Sequence, residues 1–183
     1  MGRRWASGPN PGWNRGFFVE ASVKGTGCDL LDFNIRACDG RLAFGTVMGN
    51  CKTASQWIAY LDLEGNKICG FNAPDGCSVP GLVEFEGFFD AYRLALNFTR
   101  DLSSGMDYAR YDFLWNGREL YGGEITVYPS SGTSNPPHPA LSRSIMESWD
   151  LGRSHFLQTR QSGWRWVYAG VLRREMTRRK AGI

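Results

Sequence analysis

The sequence predicts an α+β fold, an antiparallel sheet with helices packed on one face. Three observations carry this. Short apolar runs with period-two alternation are separated by clusters of Gly, Asn, Asp and Pro. Asp39-Gly40 and Asn116-Gly117 stand between such runs as hairpin signals. One segment, residues 83–102, carries instead the three- and four-residue spacing of an amphipathic helix.

Residues 1–16 are rich in Gly, Pro, Asn and Trp and read as a loop or the remnant of an upstream segment. Residues 17–23 (FFVEASV) are strand-like. Residues 30–36 form the next strand, Asp39-Gly40 the turn, and residues 41–48 the returning strand. Residues 53–63 are ambiguous. Residues 64–81, with Gly, Asn, Pro and Asp at close spacing, read as a long loop. In the helix over 83–102, Phe85, Phe88, Phe89, Tyr92, Ala95, Leu96 and Leu102 form one apolar stripe. Glu84 and Glu86 sit in its first turn, where carboxylates suit the helix dipole, and Gly105 is its stop signal. A hairpin follows, with strands around Asp112 and Glu124. Residues 129–140 hold four of the eight prolines and read as loop. Residues 142–149 suggest a short helix and 165–180 a basic one, against which Trp164 and Trp166 are expected to pack, or else into the core. The chain thus divides into 1–16, a main domain over 17–140 and a helical basic extension over 141–183, with no internal repeat.

Of 183 residues 42% are apolar and 14% aromatic, which marks a globular chain with a real core. A net charge of +3 is too small to imply nucleic acid. No apolar run approaches the roughly 20 residues of a transmembrane helix. The N-terminal MGRRWASGPNPGW lacks the apolar stretch of a secretory signal. The five cysteines are odd in number and never form C-x-x-C, which argues against a disulfide framework or a zinc site and for reduced thiols in a cytoplasmic protein. The segment LRREMTRRK, five Lys/Arg against one Glu, reads as a solvated helix and leaves weak peripheral contact with anionic lipid open. His138 lies in a proline loop and His155 has no nucleophile to partner, so a catalytic triad is not supported.

The chemistry concentrates in RYDFLWNGRELYGGEITVYPSSG, Arg110 to Gly132. Alternation places Arg110, Asp112 and Leu114 on one face of the first strand, and Glu124, Thr126 and Tyr128 on one face of the second. A two-residue Asn116-Gly117 turn would pair Asp112 with Tyr121 and send Glu124 to the opposite face. A three-residue Asn116-Gly117-Arg118 loop with a bulge pairs Arg110 with Glu124 and gathers the acids, and this register is expected. Tyr111, Phe113, Ile125 and Val127 would then face the helix. Two carboxylates held together repel unless a cation lies between them. Oxygen-only ligands suit Mg²⁺, and Arg110 beside them offers bidentate contact to phosphate or carboxylate. A solvated sheet face with an Arg–Glu cross-strand pair accounts for the same spacing.

The order helix, R-x-D, hairpin, G-G-E-x-T, P-S-S-G resembles the C-terminal part of the ATP-grasp fold, whose last core hairpin presents an Asp and then Glu-x-Asn to Mg²⁺ on the ATP phosphates. The segment EITVYPSSG is similar to the TupA-like branch, associated with teichuronopeptide and other surface-polysaccharide biosynthesis. Two further stretches agree: FFVEASVKG resembles the segment lining the adenine pocket, and LLDFNIRACDG the branch's D-Y-K-F-x-x-F-x-G hairpin, with Asn34 where the branch usually has Lys. The resemblance spans roughly residues 17–132. It implies Asp112, Glu124 and Thr126 as Mg²⁺ ligands, with Thr126 standing where most members have Asn. It implies Arg110 beside the transferred phosphoryl, Glu20 and the backbone of Val23 at the adenine, and Asp32 at the ribose.

ATP and Mg²⁺ are the cofactors that resemblance implies, and the reaction is carboxylate–amine ligation through an acyl phosphate, with small-molecule or glycan-linked carboxylate and amine substrates. Pro129–Gly132 would line the acceptor pocket. The family's phosphate-covering lysines and glycine-rich loop lie upstream of the adenine segment, which only sixteen residues precede here. A truncated homologue, or the partner of a missing upstream ATP-grasp half, is therefore expected. Other readings stay open: a catalytically degenerate nucleotide-binding or interaction module, a glycoside hydrolase using Asp112 and Glu124 as acid and base, and a basic interaction protein.

Overall fold

The computed structural model describes residues 23, 30–72, 80–132 and 136–180. Six strands, β1 (Leu31–Cys38), β2 (Arg41–Gly49), β3 (Trp57–Leu61), β4 (Lys67–Asn72), β5 (Ala109–Trp115) and β6 (Leu120–Val127), form one sheet in the order β4-β3-β2-β1-β5-β6. Every neighbouring pair is antiparallel. The helices are α1 (Phe88–Leu102), between β4 and β5, then α2 (Pro139–Ser148), α3 (His155–Gln158) and α4 (Trp164–Lys180). The architecture is α+β.

Central strand β1 shows why the sheet has two unlike faces. Leu31, Phe33, Ile35 and Ala37 are fully buried, while Asp32, Asn34 and Arg36 alternate with them and point the other way. On the apolar face α1 packs through Phe88, Ala91, Tyr92, Ala95, Leu96 and Thr99. Phe33 meets Phe88 and Tyr92 edge-on at 5.5 and 6.0 Å and stacks on Trp115 at 6.2 Å. Burying each such side chain contributes roughly 1.5–3 kcal/mol. Gly45 of β2 makes room for this packing: a Cβ there would lie 2.1 Å from the Tyr92 hydroxyl, which donates to the Asp62 carbonyl at 2.9 Å.

The Asp39-Gly40 turn is as expected, with φ of 50° and 76°, the left-handed pair of a two-residue hairpin. Other expectations are corrected. The long loop over 64–81 contains β4, and the ambiguous 53–63 contains β3. The helix starts later than its pattern, because Gly87 adopts φ 80° and separates α1 from a 3-10 turn over Leu82–Glu84. Phe89 and Leu102 of the expected stripe are 39% and 50% exposed, so the buried stripe is narrower. The helices are not confined to one face: α2 packs against the opposite side of the sheet, where Leu141 joins Ala43 and Phe44 and Ser144 donates to the Ala43 carbonyl at 2.5 Å. Trp164 and Trp166, expected to pack, are 72% and 65% exposed, since α4 turns Ala169 inward instead. Ile125 and Val127 share the helix side of the sheet but lie on edge strand β6, beyond the reach of α1, and stay about half exposed.

The β5–β6 hairpin has neither register considered from sequence. Its loop spans four residues, 116–119, closed by Asn116 N–H donating to the Glu119 carbonyl at 3.2 Å, with the Asn116 side-chain oxygen accepting from the amides of Arg118 and Glu119. Trp115, Leu114 and Phe113 oppose Leu120, Tyr121 and Gly122; past a bulge facing Asp112, Tyr111, Arg110 and Ala109 oppose Ile125, Thr126 and Val127. Arg110 therefore pairs with Thr126, not Glu124. Without the bulge Glu124 would lie opposite Tyr111 on the core face. The bulge depends on a bare backbone, because a Cβ on Gly123 would stand 2.8 Å from the Asp112 carbonyl oxygen, whereas one on Gly122 meets nothing within 4 Å. Gly123→Ala should lower stability by about 1–3 kcal/mol and Gly122→Ala should stay within about 0.5 kcal/mol of the parent, as read by chemical denaturation.

Candidate functional site

The polar face carries the candidate residues in adjacent strands. In the β1–β5 ladder Asn34 opposes Asp112 and Arg36 opposes Arg110. Alternation on β1 puts Asp32 on this face, and the bulge in β6 brings Glu124 to it. Arg110, Asp112, Glu124 and Thr126 converge as the sequence implies. Glu20 lies outside the described residues. Val23 is half-buried and belongs to no helix or strand.

Arg110 is the centre of the cluster. Its Nε and Nη2 donate to the two oxygens of Asp112 at 2.7 and 2.5 Å. Nη2 also reaches Glu124 Oε1 and Thr126 Oγ1, each at 3.3 Å. Thr126 donates to Glu124 Oε1 at 2.8 Å. The partners are unequally placed: the Asp112 side chain is 17% exposed and that of Glu124 70%. Burial pushes the Asp112 carboxyl up, Arg110 pulls it down, and the charges of Glu124 and Asp32 push it up again, so it stands above its ordinary value. Arg110 stands above its own, held by the Asp112 hydrogen bonds against the effect of burial. The attraction between the two is mutual; burial and the neighbouring acids, not Arg110, leave the Asp112 carboxyl high. Asp32, implied at a ribose, accepts a hydrogen bond from the Cys51 thiol at 2.9 Å. Burial, then that bond, pushes Cys51 up to about 12.

Among the described residues no three His, Cys, Asp or Glu side chains gather closely enough to hold a metal ion. The implied set is two carboxylates and a hydroxyl. Those are the hard oxygen donors that suit Mg²⁺, which takes one or two carboxylates and fills its shell with water and phosphate.

Two residues on which the site relies escaped the sequence reading. Arg36 stands two residues from Asn34 and four from Asp32, and alternation in DFNIR was the signal for it. Asp107, just before β5, had no such signal. Its carboxylate accepts from Tyr128 Oη at 2.5 Å, Trp149 Nε1 at 2.9 Å, the His155 amide at 3.0 Å and the Tyr108 amide at 2.8 Å. Beside it, Tyr128 and Ser130 adopt left-handed φ of 49° and 54°, so the turn into Pro129–Gly132 is strained and held in place.

Comparison of the chain with protein-family models, with curated proteins and with solved structures gave no match. No helix among the described residues is long and apolar enough to cross a membrane.

Burial pushes the Asp107 carboxyl up, but its hydrogen bonds outweigh that and hold it below its ordinary value. A depressed folded value contributes stability above the unfolded value of about 3.9, and that contribution is lost as pH falls through the folded value. Asp107→Asn should cost about 2 kcal/mol at neutral pH and flatten the acid limb of stability below about pH 4, as read by denaturation at stepped pH.

Proposed function

We propose that this chain carries the Mg²⁺-nucleotide end of an ATP-grasp-type site resembling the TupA-like branch, serving carboxylate–amine ligation through an acyl phosphate in surface-polysaccharide biosynthesis. The observation that supports this best is the convergence of Asp112, Glu124 and Thr126 around Arg110, by way of a bulge that needs glycine. Burial holds the Asp112 carboxyl above its ordinary value, an environment that functional sites share with structural ion-pair networks.

In this reading Asp112 and Glu124 hold Mg²⁺, with Thr126 beside them, and the ion supplies charge neutralisation to the ATP phosphates. Arg110 exchanges its carboxylate partners for the oxygens of the phosphoryl being transferred. Asp32, on the same face, meets the ribose. Glu124 is the exposed arm and Asp112 the anchored one. The protein contributes positioning, since the carboxylate substrate itself attacks the phosphoryl and the amine then displaces phosphate.

One observation favours a second reading, a nucleotide-binding or interaction module without turnover. Arg110 already satisfies Asp112, Glu124 and Thr126 together, so the cluster is closed on itself.

Calorimetric titration of the 183-residue chain with ATP tests both. Binding should require Mg²⁺, and Glu124→Gln should weaken it at least tenfold, about 1.4 kcal/mol. Asp112→Asn should abolish Mg²⁺-dependent binding and also lower the melting temperature, because it leaves the Arg110 guanidinium without its paired carboxylate; Glu124→Gln, on the exposed acid, separates the binding effect from that loss of stability. Binding indifferent to Mg²⁺ and to Glu124 would overturn the site. Mg²⁺-dependent binding without hydrolysis when carboxylates and amines are supplied would select the module.

A further inference from the structure

Five of the large apolar side chains that the fold leaves exposed fall within eight residues of α4: Trp164, Trp166, Val167, Tyr168 and Val171, between 50% and 72% exposed. Single apolar residues on a surface are ordinary, but a contiguous run marks a surface that something covers. Trp164, Val167, Tyr168 and Val171 stand at the three- and four-residue steps of one helix face, with Trp166 outside it. The core does not use that face. The helix is held from another side, where Ala169 is fully buried, Leu172 and Met176 are half-buried, and Arg173 donates to the Leu157 carbonyl at 2.5 Å. Tyr168 meets Phe156 at the margin, with ring centroids 5.9 Å apart.

The same face continues into charge. Arg174 and Arg178 follow Val171 at the next three- and four-residue steps, and the helix carries six Lys and Arg against one acid, Glu175. The ion pairs among the described residues use Arg93, Arg110 and Arg153, so none holds an arginine of α4. Arg165 lies over the Trp164 ring instead, 5.8 Å from its centroid. Apolar and basic residues are thus divided along the helix more than around it, the first two turns apolar and the rest basic.

The cover for such a face must supply negative charge beside an apolar layer. A second α4 brings mostly further cations. A nucleic acid supplies the charge and would stack on Trp164 and Tyr168, but it offers nothing to two valines. The boundary between the headgroups and acyl chains of a bilayer supplies both.

We infer that α4 lies on a membrane surface bearing anionic lipid. Trp164, Val167, Tyr168 and Val171 enter the headgroup–acyl boundary, the level that Trp and Tyr favour, while Arg174 and Arg178 meet lipid phosphates. The division along the helix seats its N-terminal end deeper than its C-terminal end. The helix lies on the bilayer and does not cross it, since none among the described residues is long and apolar enough to do so. Four apolar side chains and two arginines make a small anchor, so the contact is reversible. The inference stands apart from the ligase reading.

The test is flotation of the full chain with vesicles of phosphatidylcholine alone and with vesicles that also contain phosphatidylglycerol. Partition into the anionic vesicles should be at least about tenfold stronger. Replacing both Arg174→Gln and Arg178→Gln should weaken it about fivefold for each charge. Val171→Ser leaves the charge alone and should weaken it about threefold or more. Val167→Ser, on the same face, repeats that measurement, and both valines are exposed enough that the melting temperature should not move. Tryptophan emission should shift to the blue on binding, and less so in Trp164→Phe. No partition, or equal partition into both vesicles, would overturn the inference. So would a loss on removing the arginines but on neither valine change, which is adsorption by charge alone. A tighter hold on single-stranded DNA, indifferent to the valines, would assign the face to nucleic acid. A dimer in sedimentation that Val171→Ser dissolves would assign it to a second copy; either outcome overturns the membrane assignment.

Discussion

Strand β1 is hydrogen-bonded on both sides, to β2 and to β5, and its alternation leaves no choice of face. Four of its side chains have no solvent exposure at all, and the three between them are an acid, an amide and a cation. A slip of one residue against either neighbour would send Phe33 and Ile35 to the polar side and bury Asp32 and Arg36 under α1. Several kilocalories per mole oppose that slip on the apolar side, at roughly 1.5–3 for each large side chain lost, and the desolvation of charged groups opposes it on the other. The same constraint fixes the core and sets Asn34 opposite Asp112 and Arg36 opposite Arg110. The candidate site is thus a by-product of core registration rather than a separate construction.

What the sequence made legible follows from this. Period-two alternation identified β1, β2 and both hairpin strands, and Asp39-Gly40 identified its turn, because each signal is local. Strand β4 was hidden, since KICGFN lies among turn residues and its neighbour β3 was itself ambiguous. The gathering of Asp112 and Glu124 was legible, but the pairing behind it was not. The loop takes four residues because Asn116 caps it from within, and the bulge then restores the face that the longer loop would have lost. Two shifts of register cancel in side-chain facing but not in pairing, so a reading by faces reached the right cluster through the wrong ladder. The start of α1 was misread because the apolar spacing continues through Phe85, while Gly87 at φ 80° interrupts the backbone.

Arg110 resolves a conflict that the register creates. Two acids brought to one face of adjacent strands repel, and the guanidinium between them makes the arrangement tolerable in the absence of a ligand. The compensation is partial, because Asp112 is the more buried of the two and its carboxyl remains above its ordinary value. Stability alone does not select such a pair, since apolar side chains of similar volume in place of both Arg110 and Asp112 would avoid the desolvation of each. An arginine that neutralises the acids when the site is empty and turns to an oxyanion when a metal takes them would serve both states with one side chain.

The cluster is also anchored unevenly, and that bears on how it would respond to a ligand. Asp107 ties the entrance of β5 to Tyr128 at the exit of β6, to Trp149 beyond α2 and to the first amide of α3. Arg153 reinforces this end through its ion pair with Asp39, and Ser144 ties α2 to β2. The end of the ladder carrying Arg110 and Thr126 is therefore braced by both chain segments that cross it. Glu124 sits one step further, beside the bulge, on an edge strand, with most of its side chain in solvent and one long contact to Arg110. Of the two acids it is the one whose movement disturbs least, since it breaks a 3.3 Å contact to Arg110 and an exposed hydrogen bond from Thr126 rather than the paired bonds of Asp112. A ligand entering the polar face would draw Glu124 inward while Asp112 holds its place.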